Sequence, residues 1–195
     1  MRKLTYFVAV SIYGFIGDET GDGTMFMPFV DEEFLAYLTS EYPDTISVEG
    51  RKALGLEGVP NKNFDTVLQG RRSYQVGLDL GITSPYGHLR EYVATRTLAE
   101  SPDPNVELIH DDVIGKVREL KAEEGESGIW LCGGAQLAGL LADEIDELVL
   151  KTYPVVFGGG MPMFAGRSYA LDRFDLAEHR VFGNGVTVRR FTRTR

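Results

Sequence analysis

The spacing of apolar positions changes several times along the chain, and each change marks an element. Residues 4–12 are rich in β-branched and aromatic side chains at odd and even positions alike, the pattern of a strand covered on both faces. That run stops at Tyr13-Gly14, and Gly17, Gly21 and Gly23 mark a mobile loop. Asp31 then stands where it can cap a helix whose Phe34, Leu35 and Leu38 fall at i, i+1 and i+4. Between residues 42 and 63 the pattern breaks into proline, glycine and charge, with a short turn of helix at 51–54, and reads as an insertion. Residues 64–68 form the next strand, Gly70 the turn, and residues 71–76 the start of a helix.

The second half repeats that grammar. Residues 89–94 and 106–109 read as strands, and Asp111-Asp112 caps a helix carrying Val113, Ile114, Val117 and Leu120 on one face and ending at Gly125. Residues 129–132 are a buried strand, Gly133-Gly134 its turn, 135–142 a helix and 147–153 another strand. Two β-rich runs, 173–181 and 186–192, are joined by Phe182-Gly183-Asn184-Gly185, a hairpin signal. Alternating strands and helices followed by a hairpin predict an α/β fold with a mixed sheet. No internal repeat interrupts it, and 195 residues make a single domain, 1–195, the expectation.

Composition narrows the function. A formal charge of −9 gives a nonspecific phosphate-backbone binder the wrong field, so nucleic acid is not an expected partner. Cys132 is the one cysteine, which excludes an intrachain disulfide or a Cys-rich zinc site and fits a reducing, cytoplasmic location. His88, His110 and His179 are scattered without i, i+4 pairing, so no metal site is expected. Arg2 and Lys3 before an apolar run imitate a signal peptide, but Tyr6, Ser11, Tyr13 and Gly14 dilute that run and no A-x-A pattern follows, so a buried first strand explains it better. No segment approaches the roughly 20 apolar residues that span a bilayer, and no membrane association is expected.

A strand that delivers glycine and then a helix start exposes unpaired backbone N–H groups at the positive end of the helix dipole, where anions bind. Gly70-Arg71-Arg72-Ser73 and Gly133-Gly134-Ala135-Gln136-Leu137 are two such starts, and one dinucleotide diphosphate can bridge both. Each dipole contributes only about 0.3 to 1 kcal/mol, so strong binding also needs arginine, for which Arg71, Arg72 and Arg96 are candidates. Both turns read equally as tight connections with solvated arginines. There is no G-x-x-x-x-G-K-[ST], no G-x-G-x-x-G and no G-x-S-x-G, which argues against P-loop, ordinary Rossmann and hydrolase readings. Cys132, in a strand before the diphosphate turn, reads as a small buried hydrophobe.

Three segments, 64–74, 92–98 and 129–164, resemble in order and spacing the dihydrofolate reductase-like family that includes the C-terminal reductase domain of RibD. The most specific piece is Gly133-Gly134-Ala135-Gln136-Leu137, then Asp146-Glu147-Leu148, then residues 154–164, which are more similar to the RibD subgroup than to true dihydrofolate reductases. The resemblance implies a three-layer fold with a mixed, mostly parallel sheet of about eight strands, flanking helices and a C-terminal antiparallel hairpin. It also implies NADPH across the strand ends and hydride transfer to a small heterocyclic or carbonyl substrate, in the manner of 5-amino-6-(5-phosphoribosylamino)uracil reductase of riboflavin biosynthesis or of dihydrofolate reductase. Neither substrate follows from these residues alone.

Carried over by position, Gly70, Arg71, Arg72 and Ser73 match the segment that holds the cofactor phosphates, and Gly133, Gly134, Ala135, Gln136 and Leu137 the diphosphate turn. Thr95, Arg96 and Thr97 match the segment beside the adenosine 2′-phosphate, and Ala9, Ile16 and Gly17 border the nicotinamide. Related reductase domains commonly carry Ser-x-Asp-Gly after the first strand; here Ser11-Ile12-Tyr13-Gly14 replaces the carboxylate with a phenol. Asp31, at the start of the helix matching the substrate side, is the leading catalytic candidate, although it is equally an ordinary helix cap. Tyr13 and His88 are further proton-donor candidates, and the 42–63 insertion and the 79–87 loop stand to wall the substrate pocket or to face a partner subunit. Relatives commonly pair, so a homodimer is implied. The zinc deaminase that accompanies RibD reductases is excluded, since H-x-E and P-C-x-x-C are missing. A non-catalytic NADP(H)-binding module and a plain α/β interaction protein are the alternatives.

Overall fold

Eight strands form one sheet in the computed structural model of the protein, which describes residues 1–194. In chain order the elements are β1 (Leu4–Val10), β2 (Phe15–Gly17), α1 (Glu32–Glu41), α2 (Val48–Ala53), β3 (Phe64–Gly70), α3 (Arg71–Asp79), β4 (Arg90–Ala94), β5 (Val106–Ile109), α4 (Val113–Ala122), β6 (Gly128–Gly133), α5 (Ala135–Leu140), β7 (Glu147–Thr152), β8 (Met161–Pro162), β9 (Phe174–Val181) and β10 (Thr187–Arg193). The sheet order is β5-β4-β3-β6-β1-β7-β10-β9. Its first six strands are parallel, while β10 runs antiparallel to β7 and β9 antiparallel to β10. This is the mixed sheet with a terminal antiparallel pair that the apolar pattern predicts, mostly parallel and eight-stranded as the resemblance implies.

The two-faced apolar character of β1 follows from its central place. Leu4, Tyr6, Val8 and Val10 pack with Val117 and Leu120 of α4 and Leu137 and Ala138 of α5. Phe7 and Ala9 point the other way, into a layer with Phe34 and Tyr37 of α1. Tyr74 of α3 packs on Val93 and Val106. Burying one such side chain is worth roughly 1.5–3 kcal/mol, so the sheet is held from both faces.

At the edge where the parallel strands begin, charges are paired. Arg2 donates to Asp65, to Glu123 at 2.6 Å and to Thr66 at 2.9 Å, and Arg90 also reaches Glu123 at 2.6 Å. Lys3 at 2.6 Å and Arg190 at 3.0 Å converge on buried Glu147, and Lys121 reaches Asp146 at 2.6 Å. Burial alone would raise the Glu147 carboxyl, but the hydrogen bonds from Lys3 and Arg190 outweigh it and hold the group below the ordinary carboxylate range.

Several boundaries differ from the sequence expectation for local reasons. β1 stops at Val10 rather than residue 12, because the Phe15 amide donates to the Ser11 hydroxyl and the Ser11 amide to the Phe15 carbonyl, turning the chain into β2. β2 then pairs with β8 in a small second sheet that periodicity did not reveal, each strand having at most three residues. The helix predicted to run to Gly125 ends at Ala122. In the 42–63 stretch the helix lies at 48–53, with the Ser47 hydroxyl accepting the Gly50 amide, rather than at 51–54. The buried Asp44 carboxylate accepts the amides of Lys62, Asn63 and Phe64, and Arg51 donates to the Pro43 and Val59 carbonyls. These side-chain-to-backbone bonds make the stretch an ordered loop without any apolar period.

Among the described residues no helix is long and apolar enough to cross a membrane, and no group of three or more His, Cys, Asp or Glu side chains is placed to hold a metal ion.

Candidate active site

Parallel strands all deliver their C-terminal ends to one edge of the sheet, and that edge collects the loops with chemical potential. β3 and β6 are neighbours, with Gln69 in register with Gly133, so the starts of α3 and α5 lie side by side. A Cβ built on Gly70 would stand 3.5 Å from the Gly133 carbonyl oxygen and 3.6 Å from the Gly134 nitrogen. One built on Gly134 would stand 3.9 Å from the Ser73 hydroxyl and 4.0 Å from the Met161 sulfur of β8. Gly133 has φ of 132°, a conformation that disfavours other residues, and the Gly133-Gly134 peptide is cis. The structure thus brings together Gly70, Ser73, Gly133 and Gly134, which the sequence places on separate segments.

The helix starts divide into two kinds. Asp31, Ser47 and Asp112 cap α1, α2 and α4, accepting the amides of Phe34 at 2.9 Å, Gly50 at 3.2 Å and Gly115 at 2.9 Å. No side chain caps α3 or α5, whose preceding residues are Gly70 and Gly134. α5 is too short for a substantial dipole, so its contribution is the close backbone turn; α3 supplies free amides and a positive end.

Three arginines at this edge are also without counter-ions among the described residues. Arg71 is half-buried and its Nη1 is shielded from solvent with no hydrogen-bond partner. Among the described residues, neither Arg71, Arg72 nor Arg96 forms a salt bridge. Arg96 and Thr97 are exposed on the turn after β4. The buried Thr95 hydroxyl accepts the Thr97 amide at 3.2 Å and the Leu98 amide at 3.0 Å, so Thr95 shapes the turn that presents Arg96. Ala135 and Leu137 are buried, Gln136 is exposed, and Ala9 is half-buried at the end of β1. Ile16 packs on the core from β2, and a Cβ on Gly17 would come within 2.9 Å of the Asp22 carbonyl, so the loop there closes tightly on a glycine.

The proposed catalytic side chains are placed less decisively. Asp31 is exposed and its carboxylate serves the cap of α1. Tyr13 is exposed and its ring stands edge-on to Phe15 at 4.9 Å, at the end of an aromatic row that continues through Phe157 and Phe26 to Tyr153. His88 is tied to the Asp44 carbonyl at 2.9 Å, and burial lowers its pKa, so it joins the 79–87 loop to the 42–63 stretch.

A half-buried polar group that sequence reasoning missed lies on the Ala9 face of the same edge. Lys151 of β7 is the register partner of Ala9, and Cys132 of β6 and Tyr86 lie nearby. Glu91 of β4 accepts from Ser84 at 2.5 Å, from the Tyr86 amide at 3.1 Å and from Gln69 at 3.2 Å. Burial pushes the Cys132 thiol up to about 11, which leaves it protonated and unreactive at neutral pH. Burial also raises the Glu91 carboxyl and pulls the Lys151 ammonium down to about 8. The signal in the sequence is a lysine directly after the apolar run Leu148-Val149-Leu150, two residues after Val149 and thus on its face.

The family model of the RibD C-terminal domain matches residues 2–188. The chain is 31% identical over 165 residues to the uncharacterized protein YwjB of Bacillus subtilis (strain 168), covering 84% of this chain and 83% of that protein. It is 29% identical over 190 residues to YyaP of the same organism, also uncharacterized, covering 95% and 92%. Among solved structures it is similar to a protein of Shewanella sp. PV-4 assigned to riboflavin biosynthesis, at TM-score 0.66 and 24% identity with both chains fully covered. It is similar to a diaminohydroxyphosphoribosylaminopyrimidine deaminase/5-amino-6-(5-phosphoribosylamino)uracil reductase of Thermotoga maritima, at TM-score 0.64 and 14% identity, over 99% of this chain and 57% of that one. It is also similar to dihydrofolate reductase of Enterococcus faecalis complexed with NADP(H), at TM-score 0.64 and 15% identity, over 99% and 97%.

Proposed function

The chain belongs to the RibD C-terminal domain family, and on that premise we propose that it is an oxidoreductase of the RibD-reductase type that uses NADPH to reduce a small heterocyclic or carbonyl substrate. The observation that carries this reading is the uncapped start of α3 beside the Gly133-Gly134 turn, with the unpartnered Nη1 of Arg71 among its side chains. Uncapped amides, an arginine lacking a counter-ion and a glycine pair that lets backbone come close are what a diphosphate requires.

In this reading Gly70, Arg71, Arg72, Ser73 and residues 133–137 hold the diphosphate. Thr95 shapes the turn from which Arg96 and Thr97 meet the 2′-phosphate. An arginine there favours NADPH over NADH, since one cofactor offers a dianionic group and the other a hydroxyl. Ala9, Ile16 and Gly17 border the nicotinamide. NADPH supplies the hydride when bound, and the chain's task is to orient the cofactor, exclude water and manage the proton. Asp31 and Tyr13 are the substrate-side residues carried over by position, with Asp31 required to exchange its capping bond for a substrate contact.

The family resemblance also supports a homodimer. β9 is exposed along most of its length, and Leu176 and Val181 give it apolar surface for a second copy to cover.

The test is equilibrium titration of NADPH and NADH, followed by energy transfer from Trp130, which is buried in β6 next to the diphosphate turn. NADPH is expected to bind with the lower Kd. Absence of binding by either nucleotide contradicts the reading. Tight NADPH binding without oxidation by any pterin, flavin precursor or small carbonyl identifies a binding module instead.

A further inference from the structure

Lys151 stands near the C-terminal end of β7, half-buried, with Ala9 of β1 beside it on one flank and Val188 of β10 on the other. Its Nζ lies 4.3 Å from the centre of the Phe7 ring. Among the described residues that ammonium has no carboxylate partner and no hydrogen bond to the protein, and the titratable group beside it is the Cys132 thiol, which is neutral at neutral pH. The charged groups around it are committed elsewhere. Glu91, behind Cys132 and Tyr86, is held by Ser84, Gln69 and the Tyr86 amide. Glu147, four residues back along the same face, is taken by Lys3 and Arg190. Arg189 of β10 donates to Thr152, on the opposite face.

A packing role accounts poorly for this residue. Beside Phe7 and Val188 a methionine fills similar space without the cost of desolvating a charge. The position is also specific: Lys151 neighbours Ala9 near the end of β1, while Asp31 is occupied as a cap and Tyr13 stands edge-on to Phe15.

We propose that Lys151 is a catalytic residue of this reductase, its ammonium donating the proton to the nitrogen or oxygen of a substrate C=N or C=O group as hydride reaches the adjacent carbon. This rests on the reductase reading above, which supplies the hydride and its two electrons from NADPH. The C=N or C=O π bond breaks, carbon gains hydrogen with its electron pair, the heteroatom gains the Nζ proton, and the neutral amine recovers a proton from water. An ammonium pulled down to about 8 remains mostly charged at neutral pH yet gives up its proton far more readily than a solvated lysine, the compromise a general acid needs. The substrate class is a small molecule with a polarised C=N or C=O group.

Lysine labelled with 13C at Cε reports each amine by NMR, and a Lys151→Met variant identifies the signal of interest. The expected result is a Lys151 signal that titrates near pH 8 and moves when NADP+ is added, while exposed lysines titrate above about pH 10 and stay in place. With any carbonyl or imine acceptor that oxidises NADPH, Lys151→Met is expected to lower kcat by about 100-fold or more with NADPH affinity unchanged, and to remove the alkaline limb of the pH profile. A Lys151 signal that titrates above about pH 10 and ignores NADP+ overturns the proposal alone, as does a variant with the wild-type kcat and pH profile. Wild-type protein that does not bind NADP+ overturns the reductase reading and this proposal with it.

Discussion

The two edges of the parallel sheet treat charge in opposite ways. Where the strands begin, Arg2, Lys3, Arg90, Lys121 and Arg190 are each within 3.0 Å of a carboxylate, and Glu123 and Glu147 are shared between two cations. Where they end, Arg71, Arg72, Arg96 and Lys151 have no such partner among the described residues, and two helices start without a side-chain cap from them. Paired charges lock strands to one another and have nothing left to offer a ligand. Unpaired cations beside free amides weaken the isolated chain and are relieved when an anion arrives, so the edge with the poorer internal electrostatics is the one equipped for binding.

The largest effect that separates the edges is on folding. Arg2→Ala removes a buried guanidinium that holds Asp65, Thr66 and Glu123, and is expected to lower stability by about 3 kcal/mol, read by chemical denaturation, with no change in NADPH affinity. Next, Arg96→Ala is expected to leave stability intact but to raise the NADPH Kd roughly 10- to 100-fold while barely altering NADH, from the loss of charge-assisted bonds worth about 1.5–3 kcal/mol. Equal losses for both nucleotides would assign Arg96 away from the 2′-phosphate.

Lys151→Met is expected to act in the opposite direction, stabilising the protein by about 2 kcal/mol at pH 7. Below pH 8 Lys151 is charged in both the folded and the unfolded chain, so the desolvation cost is present in full. Between about pH 8 and pH 10.4 the folded chain loses that proton first, the wild type gains stability, and the advantage of methionine fades. A constant difference across that window would show that the ammonium is well solvated in the folded state. The smallest effect is that of Asp31→Ala, about 1 kcal/mol from the lost cap of α1. Loss of turnover beyond that structural cost, with NADPH binding unchanged, would give Asp31 a catalytic part as well.

Regular elements were legible because packing imprints a period on them. The continuous apolar run of β1, the helical face of α4 and the Gly183-Asn184-Gly185 turn between β9 and β10 each carry a signal in a dozen residues or fewer. The paired glycine turns at the starts of α3 and α5 were legible for a related reason: glycine at a helix start is a backbone requirement that few residues meet, and an ordered series of such turns carries a family resemblance. What was hidden depends on contacts between distant segments. The β2–β8 pairing joins segments almost 150 residues apart with too few residues for alternation to register. The order of the 42–63 stretch rests on single side chains, Asp44 and Arg51, reaching backbone amides and carbonyls. Lys151 belongs to no motif, and only the sheet places it beside Ala9 and Phe7, where among the described residues no carboxylate pairs with it.

The contrast between the edges is tested most directly by mapping backbone amide shifts as NADP+ is added to the 15N-labelled protein. The account predicts changes concentrated at residues 70–73, 95–97 and 133–137, with Arg2, Thr66, Glu123 and Glu147 unmoved. Changes centred on the paired edge, or none at all under saturating nucleotide, would contradict it.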